Sequence, residues 1–312
     1  GELTLHATWG DVVVGDLADA DLDLSGTRSR LLDVTRYTSG GLVNLVSDKG
    51  NVRIEKLAGI SVAADNGGGN AGGISVKTPE GSFTLTGTIE GSAGNGLQGS
   101  FALDSSSIEG RSLASIDSVL NDGSFTRSRS YRIRSGDVKV DGSTISGIYQ
   151  VSADDGNITV TGKIDASGTT GGTIDIKANG DLVIAEGAVL DASGDDFNAA
   201  GKGGAITLKA GAQRDGVIDS GATLDLREGA LINLSVAARD SGSDTLGRLS
   251  GTLHLRAPRD AANKDVRIET IGSTIRRASG ILVEGVKLYG VTGAGTITTA
   301  IQNSIRNDAT AY

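Results

Sequence analysis

Residues 171–194 read GGTIDIKANGDLVIAEGAVLDASG, three short alternating words separated by glycine-bearing turns. Alternation of apolar and polar residues puts one face of each word inside and the other in water. The inward set here is Ile174, Ile176, Leu182, Ile184, Val189 and, after the last turn, Ala192. Thr173, Asp175, Lys177, Asp181 and Asp191 form the outward set. The Gly, Asn-Gly and Asp-Gly steps between words are turn residues. Three strands and three turns in some two dozen residues describe one coil of a solenoid.

The phrase is copied. Gly-Asp/Asn-apolar-x-apolar recurs as GDVVV at 10–14, GNVRI at 50–54, GDVKV at 136–140, GNITV at 156–160 and GDLVI at 180–184, with GSFTL at 81–85 a looser copy. A Gly-Gly word opens GGISVK (72–77), GGTIDIK (171–177) and GGAITLK (203–209). A third word closes coils: KIDASG (163–168), AVLDASG (188–194) and ALINLS (230–235). Copies of GNITV and GDLVI lie 24 residues apart and the DASG copies 26, the period of a β-helix rung. A sandwich or barrel would show longer strands and a richer aromatic core. A βαβ fold would need helical periodicity between strands, which is almost missing. The expectation is an all-β, right-handed parallel β-helix with loop insertions, its hand following the rule for parallel crossovers.

Composition agrees. Gly contributes 48 residues and aromatics only 3%, so the core must be built from small aliphatic side chains in regular layers. Pro occurs twice, which suits strands that pair on both edges. With no cysteine there is no disulfide framework and no Cys-based zinc site. A formal net charge of −9 argues against a nucleic-acid binder, which needs a basic face. No apolar run approaches the ~20 residues of a membrane span. The chain contains no Met, and it reads as a piece of a longer polypeptide.

The clearest rungs run from about 42 to 94 and from 136 to 238. Between them, 95–135 is Ser-rich and less periodic, and includes FTRSRSYRIRSGD with Arg127, Arg129, Arg132 and Arg134. Insertions fall at 195–202 and 212–220, and a loop at 241–251. Ile297, Ile301 and Ile305 recur at helical spacing, which predicts a short helix over 298–308.

The 171–194 phrase and GKGGAITLKAG (201–211) resemble the repeats of filamentous haemagglutinin-like exoproteins. So do LHLRAPRDAANKDVRIETIGSTIRRASGILVEGVKLY (253–289) and TAIQNSIRNDATAY (299–312). The resemblance covers about three quarters of the chain, from Leu42 onward. It implies an interior or C-terminal segment of a long β-helical adhesin, secreted to the cell surface through an outer-membrane partner by the two-partner route. The Asn-Pro motifs of that family's secretion domain do not occur here, and the family supplies no catalytic residue to carry over. The expected role is a structural or adhesive rod, meeting polysaccharide or host and cell-surface glycans in adhesion or a biofilm matrix. The alternatives are a polysaccharide-cleaving β-helix enzyme (a lyase or glycoside hydrolase) and the stalk of a delivered toxin.

Individual residues carry weaker chemical readings. Asp165, Asp191 and Asn233 align as an outward column that could take calcium, because hard cations want several oxygens; Lys77, Lys177 and Lys209 align as another. The calcium β-roll repeat GGxGxDxUx is missing, although DNGGGNAGG (65–73) is similar in composition. The pairs Asp154–Asp155 and Asp195–Asp196 are candidate acid–base carboxylates, and read more simply as turn residues. His6 and His254 fall opposite the leucines of their strands, at the surface, without the neighbours of a triad. The arginines at 127, 129, 132 and 134 are the candidate ligand contacts, for an acidic polysaccharide or a phosphorylated surface. Their plainer role is to neutralise surrounding carboxylates. No catalytic, cofactor or metal residue is assigned, and the chain is not expected to be an enzyme.

Overall fold

A computed structural model describes residues 1–195, 203–212, 218–236, 250–290 and 295–311. The insertions read at 195–202 and 212–220 and the loop at 241–251 fall mostly outside these residues. The fold is all-β, parallel and solenoid-like. Its longest sheet threads ten strands in parallel register, from Glu2–Ala7 to Gly280–Val286, one from each successive coil. Shorter parallel sheets of three, five and five strands carry the second and third strand of most coils. The stack thus begins a full coil before Leu42, and the long sheet runs through 95–135 as Ser100–Ile108 and Ser128–Ile133. Among the described residues there are two α-helices, α1 (Ala114–Asp122) and α2 (Thr299–Ala311), the latter where the isoleucine spacing put it.

Each repeated word has a physical reason. In the Asp/Asn word, the side chain accepts the backbone N–H at the same position one coil further on. Asp137 takes Asn157 N–H at 2.9 Å, Asn157 takes Asp181 N–H at 2.7 Å, and Asp181 takes Thr223 N–H at 2.7 Å. Earlier coils repeat this from Asp11 to Asn51 (2.8 Å) and from Asn51 to Ser82 (2.8 Å). The Gly-Gly word marks a corner where backbones nearly touch: a Cβ on Gly204 would lie 2.0 Å from the Gly172 carbonyl oxygen. In the DASG word the acid caps its own turn, Asp191 accepting from Ser193 N–H (3.0 Å) and Oγ–H (2.6 Å). Asp165 and Asn233 do the same to Ser167 and Ser235.

Inward columns form the core. Ile174, Ile206 and Leu253 stack in one, and Ile176, Leu208 and Leu255 in the next, all buried. Val189 is a correction. It pairs with Lys163 and stays partly exposed, while Ala188 and Leu190 are buried. The turn at Glu186–Gly187, with Gly187 at φ +80°, keeps the parity of Leu182 and Ile184, so Ala188, Leu190 and Ala192 point inward and Val189 does not. The terminal helix leaves the open strand edge largely uncovered. Asp308 ties α2 to Lys287 (2.6 Å) and Tyr289 (2.7 Å), but α2 has no buried residue. Ile281 of the last strand remains 52% exposed.

The register makes a direct prediction. Leu190→Ala should cost about 2–5 kcal/mol by leaving a cavity, and Val189→Ala less than about 1 kcal/mol. Urea unfolding of the two variants measures the difference.

Candidate functional site

In one coil a helix stands where others carry strands. After Ser100–Ile108, a 3-10 turn at Glu109–Arg111 leads into α1, which takes the place of that coil's second and third strands. Ser112 Oγ accepts the Ala114 N–H at 3.1 Å to start the helix, and Gly123 ends it. The buried face of α1 is Ile116, Asp117 and Leu120, an acid between two aliphatics.

That acid meets Arg129. The stretch Ser128–Ile133 alternates, so Tyr131 and Ile133 point inward and Arg129 points in with them. It occupies the inward column between Phe101 and Tyr149, with its side chain 0% exposed. Its guanidinium donates to Asp117 Oδ1 (2.9 Å), Asp117 O (3.2 Å), Asn121 Oδ1 (2.7 Å) and Phe125 O (2.9 Å). The hydroxyls of Tyr131 (2.7 Å) and Tyr149 (2.9 Å) donate to the same carboxylate. Burial, reinforced by the Asp117 charge, pushes both phenols well above their ordinary pKa. Both charges thus leave water with their hydrogen-bonding capacity largely met, the condition under which a buried pair is tolerated. Asn121 also acts as a surrogate strand, donating to Ser143 O (2.7 Å) and accepting from Ile145 N–H (3.2 Å) at the edge of the next coil. A run of rings, Phe83, Phe101, Tyr131 and Tyr149, fills the wider space around α1 with successive centroids 6.0, 6.1 and 5.7 Å apart.

The four candidate arginines therefore do not make one patch. Arg129 faces the core and cannot touch a surface ligand, because strand parity sends it inward. Arg134 grips Asp104 with two bonds of 2.6 and 2.8 Å, and Arg132 joins Asp154 (2.7 Å) and approaches Asp104 (3.8 Å). These two tie neighbouring coils together and neutralise carboxylates. Arg127 is exposed, with no side-chain bond among the described residues.

Beside α1, on the outer face of the three-stranded sheet, lies a groove of about 700 Å³. Asp21, Asp23, Glu90 and Asp122 line it together with hydroxyls of Ser61, Thr88 and Ser124. Among the described residues, no Lys, Arg, His or aromatic ring contributes to its lining. Carboxylates without a ring to stack on give poor hold for a neutral sugar. Sequence reading missed this groove because its acids come from two strands and a helix end far apart in the chain.

The remaining candidates fall into place. Asp165, Asp191 and Asn233 do align, but their oxygens are engaged in their own turns and by Lys163 (2.8 Å) and Asn233 Nδ2 (3.1 Å). Among the described residues, no group of three or more His, Asp or Glu is placed to hold a metal ion, DNGGGNAGG included. Lys177 and Lys209 stack in register, next to Arg256. Lys77 lies in the same column, several coils earlier, beside Asp104. His6 and His254 face outward and meet Asp48 (3.0 Å) and Glu284 (2.9 Å). Asp154 is ion-paired with Arg132, and Asp196 lies outside the described residues. No described helix is long and apolar enough to cross a membrane. No family model matches the chain, and no curated protein or solved structure matches it either.

Removing the arginine of the buried pair should show its weight. Arg129→Ala should destabilise by about 3–5 kcal/mol, since it strands Asp117 in the core, and Arg127→Ala by no more than about 0.5 kcal/mol. Chemical denaturation compares them. Hydrogen bonding and charge from Arg134 hold the Asp104 carboxyl below its ordinary pKa. A lowered native pKa adds stability above the unfolded value of about 3.9, and the gain is lost as pH falls through the native value. Asp104→Asn should therefore flatten the acid limb of a plot of urea midpoint against pH.

Proposed function

We propose that the chain is a right-handed parallel β-helix serving as a stiff rod segment of a large secreted bacterial surface exoprotein of the filamentous haemagglutinin-like kind. The observation that carries this reading is the long sheet, whose inward columns run from Leu3 to Ile281 through every coil, even past α1. Such a stack shares load between adjacent coils through backbone hydrogen bonds and leaves its outer face free to vary. The right hand follows from the general preference of parallel crossovers. The rod holds its surface out from the cell for adhesion to glycans on other cells or in a matrix, and its parent chain leaves through an outer-membrane partner. Like-charge repulsion from the groove carboxylates disfavours uronate chains at that face.

Rod shape and adhesion are tested separately. Ten coils at ~4.8 Å each give a rod of roughly 5 nm, which electron microscopy of the purified chain should show as a straight, narrow particle. A rounded particle would end the rod reading. Binding to amino-bearing glycans on an array supports the adhesive role, and silence across matrix and host glycans reduces the segment to a spacer.

A further inference from the structure

Between its first and second coils the chain leaves the stack as a hairpin, Arg28–Leu31 paired antiparallel with Val34–Tyr37. The base is fastened. Thr38 N–H donates to Thr27 O (2.9 Å), Thr27 N–H to Thr38 Oγ1 (2.7 Å), and the Tyr37 ring lies so close to Gly67 that a Cβ there would be 2.4 Å from its hydroxyl. Beyond the base, none of the described residues covers it: all eight residues of the two strands are exposed.

Its tip breaks two rules at once. The loop between the strands is Leu32–Asp33, and Leu32 adopts φ +55°, a conformation that favours Gly or Asn. That leucine is 95% exposed, and the cross-strand pair Leu31 and Val34 behind it is 58% and 53% exposed. Arg28, Arg30 and Arg36 stand behind the apolar tip against one acid, Asp33, in a chain whose net charge is −9. Among the described residues none of the three pairs with a carboxylate. At ~3.3 Å per residue, Arg30 and Arg28 lie roughly 3 and 10 Å behind Leu31. That order, apolar tip then cations, matches the step from acyl chains to phosphates across a bilayer interface.

We propose that this hairpin docks on an anionic lipid surface, with Leu31, Leu32 and Val34 entering the acyl boundary and Arg28, Arg30 and Arg36 meeting headgroup phosphates. A free arm ending in unsupported apolar side chains fits a soft, deformable partner better than the concave pocket of a protein. The inference goes beyond the rod reading and stands without it, since it needs only the projecting hairpin. It rests on surface contact, not on a span.

The test is co-sedimentation of the full chain with vesicles of phosphatidylcholine alone and of phosphatidylcholine with phosphatidylglycerol. Binding should require the anionic lipid, weaken with added salt, fall about fivefold on Arg30→Ala, and fall at least about tenfold on Leu32→Asp. Unchanged far-ultraviolet circular dichroism checks that each variant keeps the fold. No binding to anionic vesicles would overturn the proposal. So would binding unaffected by Leu32→Asp and Arg30→Ala, or a hairpin that recognises a soluble protein instead.

Discussion

Each coil of this protein must satisfy the backbone polar groups of the next, and most of the structure follows from that constraint. A parallel stack leaves its corners exposed to mismatch, because chain turns there and the ladder of N–H and C=O groups is interrupted. Here the corners are joined by side chains as well as backbone. Asp137, Asn157, Asp181 and their earlier counterparts each take an N–H from the following coil. Glycines such as Gly172 and Gly204 let corner backbones approach closely enough to hydrogen-bond, Ala205 N–H reaching Gly172 O at 2.9 Å. The repeat in the sequence is therefore the trace of a bonding scheme as much as of a hydrophobic pattern.

The same constraint explains α1. A helix satisfies its own interior backbone but offers no ladder to its neighbours. The coils on either side need substitutes, and find them in Gly123 O, which accepts Gly91 N–H (2.8 Å), and in the Asn121 amide on the other side. A helix also leaves a wider, less regular space than stacked strands. That space holds buried Phe83, Phe101, Phe125, Tyr131 and Tyr149, half of the chain's few aromatics. Arg129 and Asp117 fix the helix in one rotation by hydrogen bonds that no aliphatic pair could make.

Alternation and spacing were enough to read the coil, the parallel stacking of words and the terminal helix. They failed where parity was not carried across a turn. The inward parity of Leu182 and Ile184 continues through Glu186–Gly187, so Leu190 rather than Val189 enters the core. Arg129 was legible in principle, because it shares parity with Tyr131 and Ile133, but its charge argued for the surface more loudly than its position argued for the core. Its partner is on a helix that no local periodicity had announced. The groove beside α1 and the projecting hairpin were not legible from repeats, since both are made by departures from them.

The parallel stack and its interruptions are thus one account: regular coils supply a continuous sheet, and α1 is accommodated without breaking it. Amide hydrogen exchange tests that continuity most directly. Ser100–Ile108 and Ser128–Ile133 should be protected as strongly as Thr173–Ala178, with all three exchanging through the same slow opening. Rapid exchange in the two strands flanking α1, while Thr173–Ala178 stays protected, would mean that the sheet is broken there and the account is wrong.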